Sequence, residues 1–300
     1  MGMPLHSLRS HRMDGYPVQD GMIPFREMEV SDREWIVSCR DPRRHPFTAL
    51  SFTSLFSWRK TYGFTIAGDQ DFFVIRSRHD NAYYCPCGEE EKCARFMRET
   101  LREESGARFL YLTGEQSRDL QEAGFQILPR NDLSEYLSDP ASLALEEGHH
   151  ASNSYKMKVR HFHKNTPYTV RPLSESDLPL MLEIAGKHPG VVGDEEVLRE
   201  EIAHFDLLGL EGLLLETDAG LRAFILGYQD REDVFTMTMS KHESGLPGEI
   251  TAVLVHALAC RLAGKYRLIN LEEDLGLSGL RQAKMLYNPV ERLNVYEAVK

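Results

Sequence analysis

The chain has 300 residues, of which 42% are hydrophobic, 27% charged and 9% aromatic. That is enough for about two domains at the usual ~150 residues each, and it excludes collagen, a disulfide-stapled miniprotein and a wholly disordered chain. The net charge of −11 is uneven, with 22 basic and 24 acidic groups in residues 1–164 against 13 and 22 in residues 165–300; this argues against DNA as a partner and leaves room only for a local basic patch.

Residues 1–20 are polar, lack the apolar core of a signal peptide and read as a poorly ordered arm. No apolar run reaches the ~18 residues of a membrane span. An odd number of cysteines (Cys39, Cys85, Cys87, Cys93 and Cys260) fits reduced thiols, so the expected location is cytoplasmic. Residues 31–38 (SDREWIVS) open on a Ser/Asp cap and predict a helix, as do residues 48–62 with Leu50, Leu55, Trp58 and Tyr62 near helical spacing. GFTIAGDQDFFVIRSR predicts two strands about a Gly-Asp turn, and NAYYCPCG a third. The C-x-C-x5-C spacing of Cys85, Cys87 and Cys93, with His79 as a fourth ligand, is one reading; a Pro86–Gly88 turn into a helix is the plainer one. An amphipathic helix with Phe96, Met97 and Leu101 inward follows, then a strand (RFLYLTG) and a short helix (QSRDLQEAG).

Residues 138–165 are a polar transition between residues 21–150 and 151–300, read as two domains. They end in YKMKVRHFHKN, which places Lys156, Lys158, Arg160 and Lys164 in nine positions, as a solvated helix face or a phosphate contact. Beyond it the pattern is strand, helix, helix and two strands. DVFTMTMSK then alternates strictly, with Val234, Thr236 and Thr238 opposite Phe235, Met237 and Met239. GEITAVLVHALACRLAG is an almost wholly apolar helix, in which Cys260 reads as an inert core thiol. A strand (YRLINLE), a helix (LSGLRQAKMLY) and a last strand (LNVYEAV) close the chain.

This order resembles the GNAT acyltransferase fold, in which one strand splays from its neighbour and the next helix points its N-terminus at a pyrophosphate. SGLPGE, with Gly245 and Gly248, stands at that helix start and is the candidate cofactor loop. The R/Q-x-x-G-x-G/A fingerprint is absent, so weak or no acetyl-coenzyme A binding is expected. Asn270, Glu273, Asp274, Leu275, Gly276, Gly279, Leu280, Arg281, Ala283, Lys284, Tyr287 and Pro289, with Trp58, Arg59, Lys60, Tyr62, Pro86 and Gly88, resemble the pattern of a bacterial family of unknown function. That family is similar to the C-terminal domain of phosphatidylglycerol lysyltransferase. The resemblance implies an α/β (α+β) fold of two tandem GNAT-like domains, each a mixed, largely antiparallel sheet flanked by helices. It also implies aminoacyl transfer from tRNA. The chain departs from the family at KMKVRHFHKN and at Ser240, Lys241, His242 and Glu243, where a His-x-Glu-Lys run is usual.

Glu272, Glu273 and Asp274 crowd three acids where a strand meets a helix. They could grip a substrate ammonium or supply a general base, or Asp274 could simply cap the final helix. Tyr287 is a candidate proton donor. Asn270, Arg281, Lys284 and Lys241 are candidate substrate contacts, and Lys156, Lys158 and Arg160 candidate contacts to tRNA phosphate. No metal motif stands out. The sequence thus predicts an acyl- or aminoacyltransferase using aminoacyl-tRNA or an acyl-coenzyme A, with a small molecule or lipid headgroup as acceptor. The alternative is a non-enzymatic GNAT-like sensor or interaction module.

Overall fold

The computed structural model describes residues 23–187 and 193–300; the expected arm at residues 1–20 lies outside them. The first half runs β1 (Ile23–Glu27), α1 (Arg33–Cys39), α2 (Phe52–Tyr62), β2 (Phe64–Asp69), β3 (Phe72–Ser77), β4 (Ala82–Tyr84), β5 (Cys87–Gly88), α3 (Glu90–Glu103), β6 (Arg108–Leu112), α4 (Gly114–Glu122) and β7 (Gln126–Ser138). Two helices, α5 (Pro140–Leu143) and α6 (Asn153–Asn165), follow. The second half runs β8 (Tyr168–Pro172), α7 (Leu178–Gly186), α8 (Asp194–Ala203), β9 (Leu210–Thr217), β10 (Arg222–Arg231), β11 (Val234–His242), α9 (Ile250–Leu262), β12 (Leu268–Asn270), α10 (Ser278–Leu286) and β13 (Glu291–Val299).

All these strands join one sheet in the order β1-β2-β3-β4-β6-β13-β7-β12-β11-β10-β9-β8, with β5 on β3. Its pairings are antiparallel except for β4–β6 and β11–β12. Each parallel pair needs a crossover, supplied by α3 in one half and α9 in the other. The last strand of each half crosses over: β7 pairs with β12, and β13 pairs with β6, while β7 and β13 pair with each other at the centre. The α3 crossover packs on the first half's core, which includes Phe73, Phe96 and Phe109. The α9 helix packs, with Tyr155 and Phe162 of α6, on the second.

The strict alternation expected for β11 is broken. Leu226 and Gly227 of β10 stand opposite Met239 and Met237, leaving Thr238 as an extra residue in a bulge. Phe235 and Met237 therefore face α9, whereas Met239 joins Leu198, Met181 and Phe224 on the other face. Gly227 is required there, because a Cβ would stand 2.3 Å from the Phe235 ring. Cys260 is exposed rather than in the core, with its Sγ 3.8 Å from His256 Nε2. Cys85, Cys87 and Cys93 are buried free thiols, and among the described residues no group of three side chains is placed to hold a metal.

The two halves are tied by a buried ion pair. Arg40 donates to Asp230 on β10 at 2.6 and 3.1 Å and to the carbonyls of His45 and Phe47 at 3.1 and 2.9 Å. Burial pushes the neighbouring His45 imidazole down to about 4, helped by Arg44 and Arg40, so it is neutral. Removing one partner of so buried a pair leaves the other charge uncompensated. Arg40→Met should lower the unfolding free energy by about 3–5 kcal/mol. Breaking the exposed Arg199–Glu195 pair should cost under about 1 kcal/mol. Denaturant unfolding of both variants at pH 7 checks this; equal effects would refute it.

Candidate active site

The NLEED segment does not continue as a strand. β12 ends at Asn270, and Glu272 takes a left-handed φ of 61°, as does Leu275 at 52°. Non-glycine residues rarely hold this conformation unless their surroundings fix it. The Asn270 side chain does so here. Its Oδ1 accepts from the Glu272 N–H at 2.8 Å, and its Nδ2 donates to Glu135 of β7 at 2.6 Å. Asn270 is thus a buried positioning residue with both ends of its amide in use.

Asp274 is not available for chemistry. Its Oδ1 accepts from the Gly276 N–H at 2.8 Å and from Arg281 at 3.1 Å, and its Oδ2 accepts from Tyr136 at 2.6 Å and Arg281 at 2.7 Å. With four donors its lone pairs are filled. It holds the loop into α10 rather than capping the helix, whose N-cap is Leu277. Tyr287 is likewise corrected from proton donor to core: it is buried edge-to-face on Tyr155, at 5.7 Å between centroids.

Glu272 and Glu273 are half-buried. They belong to an acidic cluster, termed the recess, into which Lys284 reaches from α10 to donate to the Leu271 carbonyl. Burial and mutual repulsion raise the Glu272 carboxyl well above the ordinary range. Burial also raises Glu273, against the pull of Lys284. The Lys284 ammonium is pushed down by burial, although the acids around it favour its charge.

Two further acids in this recess, Glu135 and Glu201, have no motif in the sequence. Glu135 sits within β7, where burial carries its carboxyl to about 7. Thr48, in the first half, donates to it at 2.8 Å from both N–H and hydroxyl. Glu201 on α8 is buried with its carboxyl pushed up to about 8, by desolvation and then by Asp194. Asp194 in turn pairs with Lys241, so Lys241 comes to the recess already engaged. Tyr62 and Tyr111 feel the charges of Glu272 or Glu273, and burial raises Tyr62 to about 12. Among these residues the helical register could have singled out Glu201, which follows Leu198 by three positions on the inward face of α8. Nothing local distinguishes Glu135.

The other candidates lie apart. Lys156, Lys158 and Arg160 are on α6, against α9 on the far face of the sheet. Gly245 and Gly248 make no tight cradle: an added Cβ would meet only Leu221 at 3.8 Å at the first and nothing at the second. Glu249 occupies the start of α9, 3.6 Å from His161, and its negative charge opposes a diphosphate there. Beside the recess, Arg281 and Arg292 border an open groove of about 640 Å3 with Tyr136, Met285 and Val290.

A carboxyl whose pKa is raised by folding favours the native state at low pH and loses that contribution as pH climbs to the folded value. For Glu201 the window runs from about 4.5 to about 8. Glu201→Gln should therefore match the wild type in unfolding free energy near pH 4.5. It should exceed it by roughly 3–5 kcal/mol at pH 8. Denaturant melts across this range test the point, and a constant difference would contradict it.

Comparison with known proteins bears on these residues together. The family described as phosphatidylglycerol lysyltransferase, C-terminal, matches residues 43–299. A protein of unknown function from Bacteroides thetaiotaomicron is similar over 93% of this chain and 100% of its own, at 25% identity and a TM-score of 0.79. The C-terminal domain (DUF2156) assigned to a lysylphosphatidylglycerol synthetase of Agrobacterium fabrum covers 90% and 91%, at 14% and 0.62. L-PGS from Bacillus licheniformis covers 77% and 81%, at 15% and 0.55. These last two likenesses, and that to FemX at 8% identity and 0.57, show a shared fold. No curated protein matches the chain. With its family matched from residue 43 to residue 299, the chain belongs to the phosphatidylglycerol lysyltransferase C-terminal family.

Proposed function

We propose that the protein is an aminoacyltransferase that holds the amine of an aminoacyl group in the acidic recess and passes the acyl carbon from tRNA to a hydroxyl acceptor. The observation that carries this reading is the cluster of Glu135, Glu201, Glu272 and Glu273 about Lys284. So many acids facing one another have little structural use but form a ready counter-charge for an ammonium. The names of the similar L-PGS and lysylphosphatidylglycerol synthetase domains point the same way.

In the proposed step the acceptor oxygen attacks the ester carbonyl and its proton passes to a carboxylate of the recess. The bond from the acyl carbon to the ribose oxygen then breaks, and that oxygen takes the proton back from the carboxyl to leave as the tRNA hydroxyl. The edge of β11 beyond Thr236, where β12 has ended, offers backbone N–H groups to the oxyanion. Arg281 and Arg292 would anchor an acceptor phosphate, as in a lipid headgroup. On α6, Lys156, Lys158 and Arg160 would contact tRNA phosphate. We read the two halves as repeats of one GNAT-like unit, since each carries one parallel strand pair bridged by a helix.

Neutralising Glu272 or Glu273 to Gln should abolish transfer while leaving tRNA binding nearly unchanged. Replacing Lys156, Lys158 and Arg160 together by Ala should weaken tRNA binding and reduce its salt slope by up to ~0.7–0.9 for each phosphate that is no longer neutralised. Filter binding at several salt concentrations, with transfer measured alongside, tests both. If the triple variant binds as tightly as wild type, or neither protein binds tRNA, the aminoacyl-tRNA reading fails. Coenzyme A should bind weakly or not at all in calorimetry; a low-micromolar dissociation constant would restore the SGLPGE loop as a cofactor site.

A further inference from the structure

Away from the recess, α9 buries most of its apolar side chains and leaves one stripe at its seam with α5 and α6. His256 lies half-buried on that stripe, and Cys260, one turn later, is exposed. Residues four apart on a helix are neighbours. The Cys260 Sγ stands 3.8 Å from Nε2 of His256 and 3.9 Å from its Nδ1. Cys39, Cys85, Cys87 and Cys93 are all buried, so among the described residues Cys260 is the thiol that solvent reaches.

The imidazole is held in one tautomer. Carbonyls in the last turn of a helix have no partner within it, and Leu143 ends the short α5. Its carbonyl accepts from the Tyr155 hydroxyl at 2.8 Å and from His256 Nδ1 at 3.0 Å. A carbonyl can only accept, so Nδ1 carries the proton and Nε2 keeps the lone pair for Cys260. A second ring braces the first: His163 of α6 stands edge-to-face with His256 at 6.0 Å between centroids, and its own Nδ1 meets the Tyr168 hydroxyl at 3.0 Å. Burial, and then the charge of Glu146, raise the Cys260 thiol above its ordinary range, so it is not a standing thiolate. A thiol in that state becomes a nucleophile through a base beside it, and a base works best when a third group orients it. Cys260, His256 and the Leu143 carbonyl stand in that relation.

We infer that Cys260 and His256 form a solvent-open nucleophile and base, a modification site at which a low-molecular-weight disulfide is captured as a mixed disulfide. The S–H bond of Cys260 breaks and its proton passes to His256 Nε2. The freed sulfur attacks one sulfur of the small disulfide, so that a new S–S bond forms as the old one breaks. The departing thiolate takes the proton from His256 and leaves as a thiol. Cys260 is oxidised to the disulfide level and the departing half is reduced by the same two electrons. The site is separate from the recess and does not rest on its reading as an amine site.

Incubating the full, native chain with bis(2-hydroxyethyl) disulfide tests the assignment; this probe is uncharged and so is not repelled by Glu146. Intact-mass and peptide mass spectrometry should find one adduct per chain, on Cys260, which dithiothreitol removes and Cys260→Ser lacks. His256→Gln should slow uptake roughly 100-fold, the low end of what a positioned base contributes, with the buried cysteines still unlabelled. His256→Ala should be as slow and should recover with added imidazole, a rescue that a merely structural histidine would not give. An adduct on another cysteine of the native chain, uptake by His256→Gln at the wild-type rate, or no imidazole rescue of His256→Ala overturns the proposal. Labelling that spreads to the buried cysteines in both His256 variants also overturns it, by making His256 a residue of the fold.

Discussion

The buried Arg40–Asp230 pair is the constraint on which the recess depends. Its two side chains are 6% and 1% exposed and lie 190 residues apart in the chain. Desolvating two charges is expensive, and attraction alone does not offset it. Arg40 meets the cost by also donating to the carbonyls of His45 and Phe47, so the guanidinium is satisfied on several sides. Those same bonds fix the segment that ends in Thr48 and Ser51. Thr48 then reaches Glu135 and Ser51 reaches Tyr228. The pair thus helps to place the wall that the first half contributes to the recess.

The recess is held by residues that are themselves occupied in hydrogen bonds and ion pairs. Asn270 bends the chain at Glu272 through a left-handed backbone, and Asp274 anchors the following loop to Tyr136 and Arg281. Tyr111 of β6, near enough to feel the charge of Glu273, has a positive φ of 60° as well. Such conformations cost energy and persist where the surroundings over-determine them. Their yield is a set of carboxyls and one lysine brought together in a place that disfavours full ionisation. Groups in that state can exchange protons near neutrality, as acid–base chemistry requires.

Topology explains why the site lies at the centre of the molecule. Because β7 and β13 are exchanged between the halves, Glu135 leaves the first half and lands beside Asn270 of the second. The α8 helix, packed against α2, brings Glu201 from the other side. Each half alone would expose these acids to water and leave their pKa values ordinary.

The sequence by itself determined much of this protein. Hydrophobic periodicity and turn residues gave the mixed order of strands and helices, including the apolar α9, because these signals are local. The crowding of acids at Glu272–Asp274 was visible for the same reason. Which of them is free was not: Asp274 and Tyr287 look reactive in one dimension and are spent on packing in three. The bulge at Thr238 was hidden too, since a single extra residue flips the faces of a strand without altering its composition. Glu135 and Glu201 read as ordinary polar positions. Only the tertiary structure decided that they are buried beside Glu272, because burial and charge repulsion arise from residues far apart in sequence, and it is these that convert an acidic side chain into a candidate for chemistry.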